Sequence, residues 1–319
     1  MARRAKFILP LVLTLAAAIL CVRAQQTGFV KWSKENGDYA FLCYAHLSNR
    51  LQYVRSGNAE EIKIGSAGSL THHADPALSP SGDQIAFVRP GPQDKREEIV
   101  TYNLQTHAMQ TLTTWRGSVW GLAWSPTRSE IALVADRPLE DTSSLFVIDT
   151  STHKVEDLTS QVKWVATHSR PSWSRSGDQI AVQQMFTTSE NSDEYSILVV
   201  ERDTRAARRI AEGRFPAWLP NADRLAYVSV DGKRCYTVAP TGDDQNLLFT
   251  FKDIQGQEIL GAVVWSPAAD KLLFNTTTGL EGNGRAIHLY DVRSGHTQDL
   301  GFDRSFEVLA WVRAKDPTH

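Results

Sequence analysis

Hydrophobic and polar positions alternate along this chain in short runs, and the runs come back in nearly the same words. Ser172-Trp173-Ser174-Arg175-Ser176-Gly177-Asp178-Gln179-Ile180-Ala181-Val182 reads as strand, tight turn, strand. Leu78-Ser-Pro-Ser-Gly-Asp-Gln-Ile-Ala-Phe87, Trp124-Ser-Pro-Thr-Arg-Ser-Glu-Ile-Ala-Leu133, Trp218-Leu-Pro-Asn-Ala-Asp-Arg-Leu-Ala-Tyr227 and Trp265-Ser-Pro-Ala-Ala-Asp-Lys-Leu-Leu-Phe274 repeat it. The aromatic or Leu anchors stand at 78, 124, 173, 218, 265 and 311, with gaps of 46, 49, 45, 47 and 46 residues. A period of that size filled with strand-like text signals a radial repeat.

Each period predicts four strands, a to d, bounded by turn residues. In the second period these are Pro76 to Leu78, Gln84 to Arg89, Glu98 to Asn103 and Met109 to Thr113. Strands c and d follow at Leu145 to Asp149 and Val155 to Thr159, Ser196 to Glu201 and Ala207 to Ala211, Cys235 to Ala239 and Asn246 to Thr250, and Ala286 to Asp291 and Thr297 to Leu300. The first period supplies Tyr39 to Ala45, Leu51 to Arg55 and Glu60 to Ile64. Its strand a is expected from the far end of the chain, Phe306 to Val312, which closes the ring and leaves no open edge. The rival arrangement uses Trp32 for the first blade.

The expected fold is therefore all-β: a six-bladed β-propeller of four-stranded antiparallel blades over residues 38–313. Blades are expected at 38–66 plus 306–313, 74–114, 119–160, 169–212, 214–250 and 260–300, with a tail at 314–319. The anchor Trp is expected to fill the wedge between blades, burying on the order of 150–250 Å². The small residue before it (Ala77, Ala123, Ser172, Ala217, Val264 or Ala310) is expected to let the sheets approach near the axis.

Composition changes this picture at the N-terminus. Arg3, Arg4 and Lys6 precede an apolar run from Phe7 to Val22, and Val22-Arg23-Ala24 offers a small-residue cleavage site. This is the pattern of a secretory signal peptide, residues 1–24, with a short N-terminal segment at 25–37. The run is shorter than the ~20 residues that span a bilayer, so no membrane insertion is expected after cleavage. Loss of Arg3, Arg4, Lys6 and Arg23 leaves 30 basic against 36 acidic residues, a balance with no general pull on nucleic acid. Export permits a disulfide between Cys43 and Cys235, but the repeat sets them in blades 1 and 5, and two buried free thiols are expected.

Trp-Ser-Pro-x-Gly-x-x-Ile-Ala-Phe is similar to the repeat of TolB, the periplasmic component of the Tol–Pal envelope system, and of related six-bladed propellers. The resemblance covers about residues 38–313. It departs from the family after the turn Pro, where Asp is usual and this chain has Ser81, Thr127, Ser176, Asn221 and Ala268. TolB also carries an α/β domain ahead of its propeller, for which only Gln25 to Gly37 stands here. The resemblance implies an exported propeller, periplasmic or secreted, with a protein or peptide partner in the cell envelope. The repeat text also looks like that of prolyl-oligopeptidase caps and of seven-bladed polysaccharide lyases, which use a His-rich metal site.

In an up-and-down blade the d–a and b–c connections share one face. Here they are expected to be long: 66–74, 89–97, 113–119, 135–144, 160–169, 183–195, 251–260 and 275–285. Variable loops on a rigid ring are where binding usually resides. His72, His73 and Asp75, Trp120, His168 and Arg170, Arg214 and Glu307 stand at the mouths of the inner strands, with Trp115 and Trp164 in the same loops. His73, Asp75, Trp120, His168, Arg170 and Arg214 are the expected contact residues, through charged hydrogen bonds and stacking. Water in the channel would account for the same polar residues without a ligand, and packing beneath a loop is the expected role of Trp115 and Trp164. His72 and His73 on an extended chain point to opposite sides, so no metal site and no cofactor is expected. Gly-x-Ser-x-Gly, His-Glu-x-x-His, Cys-x-x-Cys and Gly-x4-Gly-Lys are absent. The function expected is non-enzymatic binding of a protein or peptide through this face; the alternative is a carbohydrate-binding or lyase-like propeller, with a glycan as ligand.

Overall fold

The computed structural model describes residues 39–45, 50–55, 58–62, 76–91, 96–138, 140, 142–162, 170–187, 193–251, 258–278, 284–303 and 306–313. Every regular element among them is a β-strand, and these form six four-stranded antiparallel sheets. Blade 1 runs Phe306–Arg313, Tyr39–Ala45, Arg50–Arg55, Asn58–Ile62. Blade 2 runs Ala77–Leu78, Gln84–Pro90, Arg96–Asn103, Met109–Arg116. Blade 3 runs Val119–Trp124, Glu130–Asp136, Ser143–Asp149, Val155–Asp157. Blade 4 runs Ser172–Trp173, Gln179–Thr187, Asp193–Glu201, Ala207–Glu212. Blade 5 runs Arg214–Trp218, Leu225–Val228, Arg234–Val238, Asn246–Thr250. Blade 6 runs Ile259–Trp265, Lys271–Thr278, Gly284–Asp291, His296–Asp303.

The C-terminal strand completes blade 1, pairing Phe306 with Ala45 and Arg313 with Tyr39. The inner strands then touch in cyclic order from blade 2 round to blade 1 and back, so the fold is a closed six-bladed propeller. Trp32, the rival anchor, lies outside the described residues.

The anchors do more than fill space. Trp124 donates its indole N–H to the carbonyl of Ala77 at 3.0 Å, Trp173 to Ala123 at 3.1 Å and Trp311 to Val264 at 2.9 Å. Each bond joins a blade to the residue just before the anchor of the preceding blade. The small residue thus matters for the open access it leaves to its carbonyl. Trp218 and Trp265 are buried in the same positions, but their indole nitrogens have no hydrogen-bond partner among the described residues. Blade 2 has Leu78 as anchor, which offers no N–H.

The strands run further toward the loop face than expected. The 113–119 connection is not a long loop: Met109–Arg116 and Val119–Trp124 leave only Gly117 and Ser118 between them. Thr113, Thr114 and Trp115 continue the ladder because Ile99, Glu98 and Glu97 remain in register opposite. Strand d of blade 3 is shorter than expected, because Thr159 leaves the ladder to bond Ser144 and the backbone N–H of Leu145. Cys235 is a buried free thiol, and burial pushes its pKa up to about 12; the Cys43 side chain lies outside the described residues.

A buried histidine lies in blade 6. His288 stacks on Phe274 with centroids 5.2 Å apart, meets Phe251 at 5.3 Å and shares a 2.9 Å hydrogen bond between Nε2 and Thr276 Oγ1. Burial lowers its pKa below 6.5, with Asp299 opposing the shift. Below about pH 6.5 the unfolded chain therefore binds a proton that the native state does not, and stability falls with pH. Melting curves of wild type and His288→Gln between about pH 5 and 7 are expected to diverge, the wild type losing more on acidification.

Candidate functional site

The site is built where Arg214 opens the inner strand of blade 5. One residue, Gly213, separates it from the end of the preceding blade. A Cβ at Gly213 would lie 2.4 Å from Tyr227 Cδ2 and 2.7 Å from the carbonyl oxygen of Val228, so the chain passes tight against strand b. The next residue but one, Phe215, holds φ at +56°, a left-handed backbone that a bulky residue adopts only under local constraint. Three features impose it. The Phe215 ring is buried in the core between blades 5 and 6. Its N–H donates to Gln183 Oε1 at 2.9 Å. The ladder to strand b is irregular between Arg214 and Ala217, where the bulge contains Pro216.

The consequence is a clamped cation. The Arg214 guanidinium carbon sits 4.9 Å from the Tyr195 ring centroid and 4.8 Å from that of Phe215. Rings at that range attract a cation and hold its plane. Arg214 is half-buried, its Nε has no acceptor, and no ion pair to it occurs among the described residues. Glu212, two residues before Arg214, is engaged elsewhere, with Arg209 at 3.1 Å. A guanidinium held in this way is chemically suited to a carboxylate or another anion.

Arg170, on the neighbouring blade, lines two cavities of the central channel. One of about 360 Å³ includes Trp124, Trp173 and Trp218; the other, about 210 Å³, includes Trp218 and Trp265. Trp120 lies two blades from Arg214 and is half-buried, packed on the core between blades 3 and 4. Its indole N–H donates to Asp136 Oδ1 at 2.9 Å. The same carboxylate accepts from Ser143 Oγ at 3.0 Å and from Ser118 N at 3.1 Å, while the Asp136 carbonyl takes the Trp115 indole at 2.9 Å. Trp115 is buried and meets Phe146 edge-on at 4.6 Å, which is the packing role expected of it. Glu97 of blade 2 accepts the Val119 N–H at 2.8 Å. Burial, assisted by Asp136, raises its pKa above the usual carboxylate range, against the lowering effect of that hydrogen bond.

His73, Asp75 and His168 lie outside the described residues, as do His72 and Trp164. Glu307 lies in the closing strand, opposite Tyr44. Among the described residues no three His, Cys, Asp or Glu side chains are grouped to hold a metal. Sequence reasoning missed Tyr195, Phe215 and Gln183 around Arg214, and Asp136 and Glu97 beneath Trp120. The Gly213-Arg214-Phe215-Pro216 run is the one local signal: a glycine and a proline flank a pair of large side chains at the start of an inner strand.

No protein-family model matches the chain, and no curated protein matches it by sequence. Solved structures do. TolB from Acinetobacter baumannii superposes with a TM-score of 0.62 at 17% identity, over 86% of this chain and 67% of that one. A TolB structure from Agrobacterium tumefaciens gives 0.58 at 13% identity, over 85% and 91%. An oligogalacturonate lyase in complex with manganese gives 0.54 at 14%, over 84% and 73%. At these identities the likeness is one of fold: a TolB-like β-propeller. Among the described residues no helix is long and apolar enough to cross a membrane.

Proposed function

Starting from a TolB-like propeller, we propose that this protein is a non-enzymatic binding module of the cell envelope, exported to the periplasm or beyond. It engages a protein or peptide partner through the d–a/b–c loop face and the channel mouth. The carrying observation is Arg214, held between Tyr195 and Phe215 by a strained backbone, with no ion pair to it among the described residues. It anchors an acidic side chain or a terminal carboxylate of the partner. Trp120 and Arg170 contribute from neighbouring parts of the ring, and His73, Asp75 and His168 are assigned to the same face.

The test is a pull-down from envelope extract with wild type, Arg214→Glu, Arg214→Lys and Arg170→Glu. Charge reversal at Arg214 is expected to abolish capture, because a buried charged pair is worth about 2–5 kcal/mol, or more than about 30-fold in affinity. Lys is expected to be intermediate, since an ammonium cannot stack as a planar guanidinium does. A partner captured equally by wild type and Arg214→Glu removes this site from the proposal. The clamped cation also suits the carboxylates of an acidic glycan, which the lyase neighbour brings to mind. Oligogalacturonate binding to wild type, lost in Arg214→Glu, with no protein captured, would favour that second reading.

A further inference from the structure

The outer edge of blade 5 differs from the other five. An unpaired edge strand is a template for another chain, and proteins blunt such edges with charges. The outermost strands of the other blades carry them: Glu60 and Glu61, Arg116, Glu156 and Asp157, Arg208 and Arg209, and Asp299 and Asp303. Asn246–Thr250 carries none, and the uncharged run extends from Gln245 to Phe251. Among the described residues the exposed large hydrophobics are two, Leu247 at 55% and Val230 at 44%, and both belong to this blade. Leu247 is the register partner of Tyr236, which stacks on Tyr227 with centroids 5.6 Å apart. Beside them opens a groove of about 650 Å³ whose lining includes Tyr227, Tyr236, Val230 and Gln245. Its charged rim is already neutralised from within: Arg234 pairs Asp231 at 2.9 Å, and Glu212 pairs Arg209 at 3.1 Å.

We propose that this edge is a self-association surface, on which two copies of Asn246–Thr250 pair antiparallel about a two-fold axis at Leu247. The occupant follows from charge. An uncharged strand meets its own copy with no like-charge cost; blade 2 carries its one charge at the strand end, Arg116, but has no exposed large hydrophobic on its edge to match Leu247. The internally paired rim presents no net charge that calls for an acidic or basic partner. Closed two-fold pairing puts the same patch on both subunits and consumes both edges, joining two four-stranded blades into one eight-stranded sheet. The pairing strand does not include Arg214, and the proposal does not depend on the function assigned to that residue.

Sedimentation of the purified chain up to about 0.5 mM tests it. A reversible monomer–dimer equilibrium is expected. Leu247→Lys places two ammonium groups together at the axis and is expected to raise the dissociation constant at least about tenfold. Leu247→Asp is expected to do the same, and mixing the two variants to restore the dimer as a heterodimer. Because Leu247 is exposed, both variants are expected to keep the wild-type melting temperature. A monomer at every concentration, open-ended higher assemblies, or a dimer indifferent to both substitutions overturns the proposal.

Discussion

Replacing Arg202 with alanine is expected to lower the unfolding free energy by about 3–5 kcal/mol, the scale on which one partner of a buried ion pair is lost. Arg202 follows strand c of blade 4 and reaches across the seam into blade 3. Its Nε and Nη2 donate to the two oxygens of Glu130 at 3.0 and 2.6 Å, and Nη1 donates to Glu156 at 3.1 Å. The side chains of Arg202 and Glu130 are only 12% and 10% exposed. Without the guanidinium, Glu130 keeps its burial and loses its counter-charge, so the cost is that of an uncompensated charge. Neutralising the survivor is expected to recover part of it: the double variant Arg202→Ala/Glu130→Gln should be more stable than Arg202→Ala. Arg128 makes a two-pronged contact with Asp203 nearby, at 2.8 and 3.0 Å, but in the open. Its removal is expected to have a much smaller effect, because water screens an exposed pair. Urea unfolding of the four proteins measures this. Equal losses in Arg128→Ala and Arg202→Ala would show that the buried cluster is no better than a surface pair.

Gly213→Ala is expected to destabilise the fold by about 2–3 kcal/mol, the upper end of the range for overpacking, and to weaken partner binding through Arg214. The added carbon meets the Tyr227 ring and the carbonyl of Val228, and the carbonyl cannot swing away without opening the ladder between strands a and b, where Val228 pairs with Arg214. The strand must then move outward, carrying Arg214 away from Tyr195. Gly82 is the control. It too has a positive φ, +75°, but an added Cβ there finds nothing within 4 Å. Gly82→Ala is expected to cost only the backbone preference, about 1–2 kcal/mol, and to leave binding untouched. If Gly213→Ala binds a partner as well as wild type, the tight passage has no part in holding the cation.

The repeat made the fold readable. Each of blades 2 to 6 carries its own turn, its own anchor and its own buried b strand, so local text and global fold agree five times over. Tyr39–Ala45 and Asn246–Thr250 match their expected limits, and ring closure followed from an orphan strand at each end of the chain. The candidate site was readable only as a list of positions. Arg214 could be placed at the start of an inner strand from its distance to Trp218, but nothing local to it announces Tyr195, which comes from strand c of the preceding blade. Trp120 was expected to be a contact and proves to be tied to Asp136, sixteen residues on, at the end of strand b.

The limits of the reading are physical. Alternation, turns and a period of about 46 residues are short-range consequences of backbone geometry, and they were sufficient for blade count and strand order. The state of a charge is a long-range property. Arg202 and Arg214 look alike in the sequence, each an arginine beside an acidic or aromatic neighbour. Folding buries the first against two carboxylates from another blade and wedges the second between two rings, with no ion pair to it among the described residues. Which of them is ion-paired across a seam and which is stacked between rings depends on how far blade 3 stands from blade 4 and blade 4 from blade 5, distances set by the packing between blades.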